Sequence, residues 1–275
     1  MNSADDKALE ESSENDMDGR AAALPIDPAT ISSPVGREIA GRYTIEGLLG
    51  QSSTSRTFRA RRSLDGRSVV LKFLRDPARR KEELERRVAR EAEALQRIDH
   101  PHIAAVYEQA SDPDEGLFVC REFVAGENLI LASERALMTP RRACELLMQV
   151  LSGLAEAHRG GILHRNLKPQ NVIVARDDAG REIVRLCDFG GPAGAQSGAE
   201  YKAPELGKGG ATVDGQADVY AVGVLLYELL TGQVPFRGGS AEETMRLHET
   251  EPVVRPSERC PPEPRSDRRR ARNRP

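Results

Sequence analysis

The sequence predicts an α+β chain in which a small sheet lobe precedes a larger helical lobe. Three observations carry this. Short β-branched stretches dominate the first half, and helical periodicity dominates the second. A hydrophobic share of 39% with 24 glycines in 275 residues is globular, which excludes collagen-like and wholly disordered chains. Abrupt changes of composition near both ends then bound a single folded body without internal repeats.

The elements follow in order. Residues 1–20 hold seven acidic and two basic residues and scarcely any large apolar side chain. Burial there cannot offset the entropy of ordering, so disorder is expected. A Pro/Ser/Ala-rich linker continues through Arg37, and residues 1–41 are read as a disordered acidic segment and linker. Tyr43–Leu49 and Thr57–Arg61 read as strands around a Gly/Ser/Thr turn, with Ser68–Leu74 as a further strand. Leu84, Val88, Ala92, Leu95 and Ile98 recur every three or four residues, one face of a helix over 80–98. Leu117–Val124 is strand-like. Thr139 and Pro140 supply the cap and first-turn proline of a helix whose apolar face is Ala143, Leu146, Leu147, Val150, Leu151, Leu154 and Ala157. Gly160–Gly161 stops it. Two short strands, Val172–Ala175 and Ile183–Leu186, flank a turn. Asp218–Leu230 is apolar nearly all round, as a fully buried helix would be, and ends at Gly232. From Cys260 onward six Arg and four Pro appear with no large apolar side chain. Residues 258–275 are therefore a basic tail.

Charge and composition also exclude function classes. A net charge of −3 gives no global field for nucleic acid, and 4% aromatics without Trp give no base-stacking platform. Four cysteines without a C-x-x-C pair read as reduced thiols. The N-terminus lacks the basic-then-apolar order of a signal peptide, and no apolar stretch reaches bilayer length. These features predict a cytoplasmic protein without nucleic-acid partners or a membrane segment. His100-Pro-His102 has no third ligand at metal-site spacing and reads as structural.

Several short motifs stand in one consistent order: LLGQSSTSRTFRA (48–60), VVLK (69–72), REAEAL (90–95), ILHRNLKPQNVIV (162–174), LCDFGG (186–191) and YKAPE (201–205). In this order they resemble the eukaryotic-like protein kinase family, particularly bacterial Ser/Thr kinases, from Tyr43 to about Ser257. The resemblance implies a bilobal protein-kinase-like fold over 42–257. Its N-lobe spans 42–124, and its C-lobe, 125–257, lacks the family's last helices. It also implies ATP and Mg²⁺ as cofactors. Gly50, with Ser52 at a second glycine position, would cover the phosphates. Lys72, paired with Glu91, would hold the α- and β-phosphates. Leu49, Thr57, Val70 and Ile173 match the apolar walls around adenine, while backbone groups of Glu122 and Val124 match those that bind the base edge. Asn171 and Asp188 would be the metal ligands, Lys168 a catalytic-loop cation, and Asp218 the anchor of that loop.

The departures bear on chemistry. Ser52, Ser55 and Thr57 replace two glycines and a valine of the phosphate loop, and Val70 adds methyl groups beside adenine. Arg121 holds the gatekeeper position, normally apolar, where a charge needs a partner or a path to water. Asn166 replaces the catalytic aspartate, and an amide orients a hydroxyl but takes no proton at neutral pH. Loss of a general base typically costs ~10²–10⁴ in rate. Gly198 stands where Ser/Thr kinases place a Thr contacting that aspartate and Lys168. The segment Gly191–Lys202 has only Ser197 and Tyr201 as hydroxyls, and Glu205 is expected to lack its usual buried partner.

Three readings follow. The first is a pseudokinase that binds ATP·Mg²⁺ with little phosphotransfer. The second is an active Ser/Thr kinase in which Asn166 orients the substrate. The third is a truncated, non-functional fragment. No protein substrate or signalling partner is named by the sequence.

Overall fold

Alternation along Ser68–Leu74 puts Val69, Leu71 and Phe73 on one face of a strand and Val70 and Lys72 on the other. The first face enters a sheet core with Ile39, Tyr43, Ile45, Phe58, Ala60, Phe118 and Cys120. Three aromatic pairs tie that core: Tyr43–Phe118, Phe58–Phe73 and Phe73–Phe118, with centroids 6.1, 5.8 and 5.4 Å apart. The second face is left for function.

The computed structural model describes residues 34–52, 54–74, 81–136, 138–190, 198–207 and 213–259. The leader through residue 33, Ser197 and the tail from residue 260 lie outside the described residues. Six strands form one antiparallel sheet in the order β1-β2-β3-β4-β6-β5. They are β1 (Glu38–Ile39), β2 (Tyr43–Gln51), β3 (Ser55–Arg62), β4 (Ser68–Leu74), β5 (Val106–Asp112) and β6 (Gly116–Glu122). Strand β1 corrects the expected start of order at Arg42. Ile39 is fully buried in the sheet core, and the Asp112 carboxylate accepts the Ala40 N–H at 3.0 Å. Arg37 reaches Asp114 at 2.7 Å and Glu115 at 3.0 Å. Strand β5, VYEQASD, gave no sequence signal because it is a polar edge strand with only Asp112 buried.

Helix α1 (Lys81–Gln96) buries Val88, Ala92 and Leu95 as its period predicts, while the side chain of Leu84 lies outside the described residues. A second sheet, β7 (Gly126–Asn128), β8 (Val172–Arg176) and β9 (Glu182–Leu186), opens the helical lobe. Asn128 caps the short α2 (Leu129–Arg135), accepting from Leu131 N. Thr139 caps α3 (Pro140–Arg159), accepting from Arg142 N at 3.1 Å, and Gly160 closes it. The apolar face of α3 meets β8, β9 and α4 (Gln216–Thr231) in a core built on Leu129, Leu146, Val150, Leu154, Leu167, Val172, Leu186 and Leu225. Helix α4 is not buried all round. A strip at Val219, which is 48% exposed, and the exposed Gly223 faces out, while Ala217, Ala221, Val222, Val224, Leu225 and Tyr227 are buried around the rest. Among the described residues, α5 (Ala241–Thr250) and the four-residue α6 (Pro256–Arg259) follow. No helix among them is long and apolar enough to cross a membrane.

Candidate active site

Sheet register builds one wall of the site. Lys72 pairs with Thr57 on β3 and with Val119 on β6, and Val70 stands opposite Arg121 on β6. Residues paired in this way share a face, so Thr57, Val70, Lys72 and Arg121 all look away from the sheet core. Val70 is buried, Thr57 is half-buried and Leu49, at the end of this wall, is 51% exposed. Ile173 is half-buried on β8, across the cleft, and Val124 lies between β6 and β7.

The turn between β2 and β3 turns its hydrogen bonding inward. Ser52 Oγ accepts from Thr54 N at 3.3 Å and Ser55 N at 3.1 Å, lies 3.0 Å from Ser55 Oγ, and its own N–H donates to Ser55 O at 2.8 Å. Backbone donors that glycine would leave for phosphate are thus engaged by the serine that replaced it. Gly50, paired with Thr57, is exposed.

The opposite wall is the loop from Ile162 to Asn171. Asp218, buried at the start of α4, accepts His164 N and Arg165 N at 2.8 Å each, and its Oδ2 meets His158 Nε2 at 2.7 Å. These bonds hold Arg165 at φ +55, a left-handed conformation that costs an L-residue about 1–2 kcal/mol. The anchoring role implied for Asp218 is what the geometry shows. Asn171 Nδ2 donates to Asn166 O at 2.7 Å, and Cys187 N donates to Asn171 O at 2.9 Å. The loop backbone is therefore assembled, with Asn166 and Lys168 half-buried on it. Asn166, Lys168, Gly198, Tyr201 and Lys202 line a cavity of about 10 Å³, room for a single water. Burial and the charge of Lys72 lower the pKa of Lys168, and burial with Lys168 lowers that of Lys202. Gly198 has φ +80, and a Cβ there would lie 3.3 Å from Lys168 Cδ. Downstream, the Tyr201 hydroxyl reaches both Glu228 oxygens at 3.0 and 2.9 Å, and Glu205 is half-buried with no ion pair among the described residues.

The charges between the walls depart from the implied arrangement. Lys72 is not paired with Glu91. Its Nζ lies 3.2 Å from Asp188 Oδ2, while Arg121 Nε lies 3.4 Å from Asp188 Oδ1. Burial would raise the Asp188 pKa, but Lys72 and Arg121 outweigh it and hold the carboxyl well below the usual range. Arg121 also donates through Nη1 to Glu122 O at 3.3 Å and Cys187 Sγ at 3.4 Å, so the Glu122 carbonyl implied for the base edge already has a donor. The Glu122 N–H donates to Ala105 O at 2.8 Å. Glu91 instead rests on Gly190, where a Cβ would fall 2.1 Å from Glu91 Oε2. Burial raises its pKa, with Arg87 and Arg165 partly offsetting.

A carboxylate and an amide oxygen are the donors a hard cation takes. Here each Asp188 oxygen already faces a cation, Lys72 on Oδ2 and Arg121 on Oδ1. Asn171, with Nδ2 engaged by Asn166 O, keeps its Oδ1, but the Asp188 carboxylate as placed does not fit the Mg²⁺ that the resemblance implies.

Two contributors escaped the sequence. His158, sixty residues from Asp218, carries no local motif. Arg185, whose Nη2 bonds Glu122 Oε2, reads in sequence as an ordinary strand charge. The histidines at 100 and 102 serve structure: His102 Nδ1 lies 3.1 Å from Val184 O, and His100 Nδ1 accepts from His102 N at 3.2 Å.

Comparison with known proteins gives the family and the fold. A family model described as protein kinase domain matches residues 43–271. The chain is 37% identical over 244 residues to the serine/threonine-protein kinase pkn3 of Myxococcus xanthus, covering 82% of this chain and 44% of that one. It is 31% identical to the serine/threonine-protein kinase PrkC of Bacillus subtilis over 226 residues, 78% of this chain and 34% of that one. It thus spans less than half the length of these curated relatives. Among solved structures, the Mycobacterium tuberculosis PknI kinase domain superposes with a TM-score of 0.64 at 29% identity, covering 83% of this chain and 85% of that one.

Proposed function

Because this chain belongs to the protein kinase domain family, we propose that it is a pseudokinase: a kinase-like domain that binds ATP and transfers its γ-phosphate to protein hydroxyls slowly or not at all. The observation that carries this reading is Asn166, a neutral amide on a loop whose backbone is otherwise fully assembled by Asp218 and Asn171. The scaffold for substrate is kept and the proton acceptor is not. ATP binding is supported by Lys72 and Lys168 facing one cleft and by the apolar Val70 and Ile173 on its two walls. The kinase-like body is read as running from β1 (Glu38–Ile39) through α6 (Pro256–Arg259).

Calorimetric titration of the full chain with ATP should give saturable heat. Transfer of labelled phosphate to a generic basic protein should stay at background. No heat and no melting shift at millimolar ATP would overturn the binding. Transfer as fast as that of an Asn166→Asp variant would replace the pseudokinase by an active Ser/Thr kinase.

A further inference from the structure

Arg121 is the residue in this site whose presence the chemistry of phosphate transfer does not call for. Its side chain is only 14% exposed, and it leaves β6 on the same face as Lys72, from the neighbouring strand and offset by two residues. Two cations from one sheet therefore converge on one carboxylate, each on its own oxygen, at 3.2 and 3.4 Å. Contacts to Glu122 O and Cys187 Sγ fix the guanidinium from two further directions, so it cannot swing away without giving up all three partners. Lys72, Arg121 and Asp188 together carry one surplus positive charge. A divalent cation brought to Asp188 would meet like charge on both sides in a poorly screened interior. A polyphosphate anion brought to the same place would be attracted, and Lys168, near enough for Lys72 to lower its pKa, adds a third cation.

We propose that the Arg121 guanidinium takes the place of the divalent cation at Asp188, so that this domain takes ATP without a metal and Mg²⁺ competes with Arg121 instead of assisting the nucleotide. The nucleotide half of this rests on the ATP-binding reading above; the metal half does not.

The test has two arms on the full chain. In the first, ATP is titrated calorimetrically in EDTA and in excess Mg²⁺, with the wild-type chain and an Arg121→Met variant. The wild type should bind with dissociation constants within about twofold of each other, or more weakly with Mg²⁺, and the variant should gain about tenfold or more from Mg²⁺. A wild-type chain tightened about tenfold by Mg²⁺ overturns the proposal, and needs no variant to do so. In the second arm, Mn²⁺ alone is titrated and its free signal read by electron paramagnetic resonance. Arg121→Met should acquire a Mn²⁺ site that Arg121→Met with Asp188→Asn lacks, and the wild type should have none. A wild-type Mn²⁺ site abolished by Asp188→Asn overturns the proposal, as does a folded Arg121→Met chain that gains no site. If ATP fails to bind under every condition, the ATP reading falls and the Mn²⁺ arm still decides the role of Arg121.

Discussion

Replacing Asp218 by Asn tests whether one buried carboxylate sets the catalytic-loop geometry. Oδ2 serves His164 N and His158, and Oδ1 serves Arg165 N. An amide keeps one acceptor and turns the other position into a donor. If its oxygen stays with His164 and His158, the Arg165 N–H faces an NH₂ group and loses its partner. An orphaned donor costs about 1–3 kcal/mol, and the remaining two bonds lose their charge assistance. The left-handed Arg165 then has nothing to hold it. We expect Asp218→Asn to lose about 2–4 kcal/mol and Asp218→Ala, with all three donors unmet, about 3–6 kcal/mol. Urea unfolding followed by far-ultraviolet circular dichroism reads the difference, since the chain has no Trp. An Asn variant within about 0.5 kcal/mol of wild type would show that the three bonds are not what sets the loop.

Three further outcomes are expected. Asn166→Asp is nearly isosteric and should raise labelled-phosphate transfer, by less than the ~10²–10⁴ of a positioned base; an unchanged rate would mean that Asn166 is no deficit. Gly198→Thr should destabilise by about 1–3 kcal/mol in the same urea assay, because a β-branched residue would sit at φ +80 against Lys168, so the double variant should transfer no faster than Asn166→Asp. Burial lifts the Glu91 pKa, so the fold favours its neutral form: the associated stability is full below the unfolded value of about 4.3 and declines as pH rises through the folded one. Glu91→Gln should therefore leave stability at neutral pH unchanged or raised and flatten that decline, and a loss above about 1 kcal/mol would mean Glu91 is paired after all.

Elements with a strong period were legible before any coordinates. Thr139-Pro140 and Gly160 mark both ends of α3, and the alternation of Ser68–Leu74 places Lys72 on the open face. Edges and short pieces were not legible. Strands β1 and β5 are held by cross-strand partners, Thr44 for Glu38 and Phe118 for Ala110, that local pattern does not encode. Within the site, residue types and order nominate Lys72, Lys168, Asn171, Asp188 and Asp218 as candidates. Which charges pair was not readable, because pairing depends on how far each side chain reaches across the cleft. The sequence did indicate that Arg121 needs a counter-charge, yet nothing in the linear order says that the counter-charge is Asp188.

Arg121 also bears on how Lys72 is paired. Three charged groups meet here, Lys72 and Arg121 from the sheet and Asp188 after β9, while the charges acting on Glu91 of α1 are Arg87 and Arg165. Arg121 is anchored between Glu122 O and Cys187 Sγ, which fixes its Nε beside Asp188. Asp188 is thereby drawn toward the sheet, within reach of Lys72. Glu91 lies against the bare Cα of Gly190, two residues past Asp188, where φ +73 favours glycine and a Cβ would displace the Glu91 carboxylate. A carboxylate in that place is shielded from water, and its raised pKa is the consequence. On the pseudokinase reading proposed above, Arg121 and Asn166 act on different parts of the chemistry: Arg121 commits the Asp188 charge, and Asn166 offers an amide where a proton acceptor would stand. Repair at either position leaves the other deficit in place, which is why Asn166→Asp alone is assigned a gain below that of a positioned base.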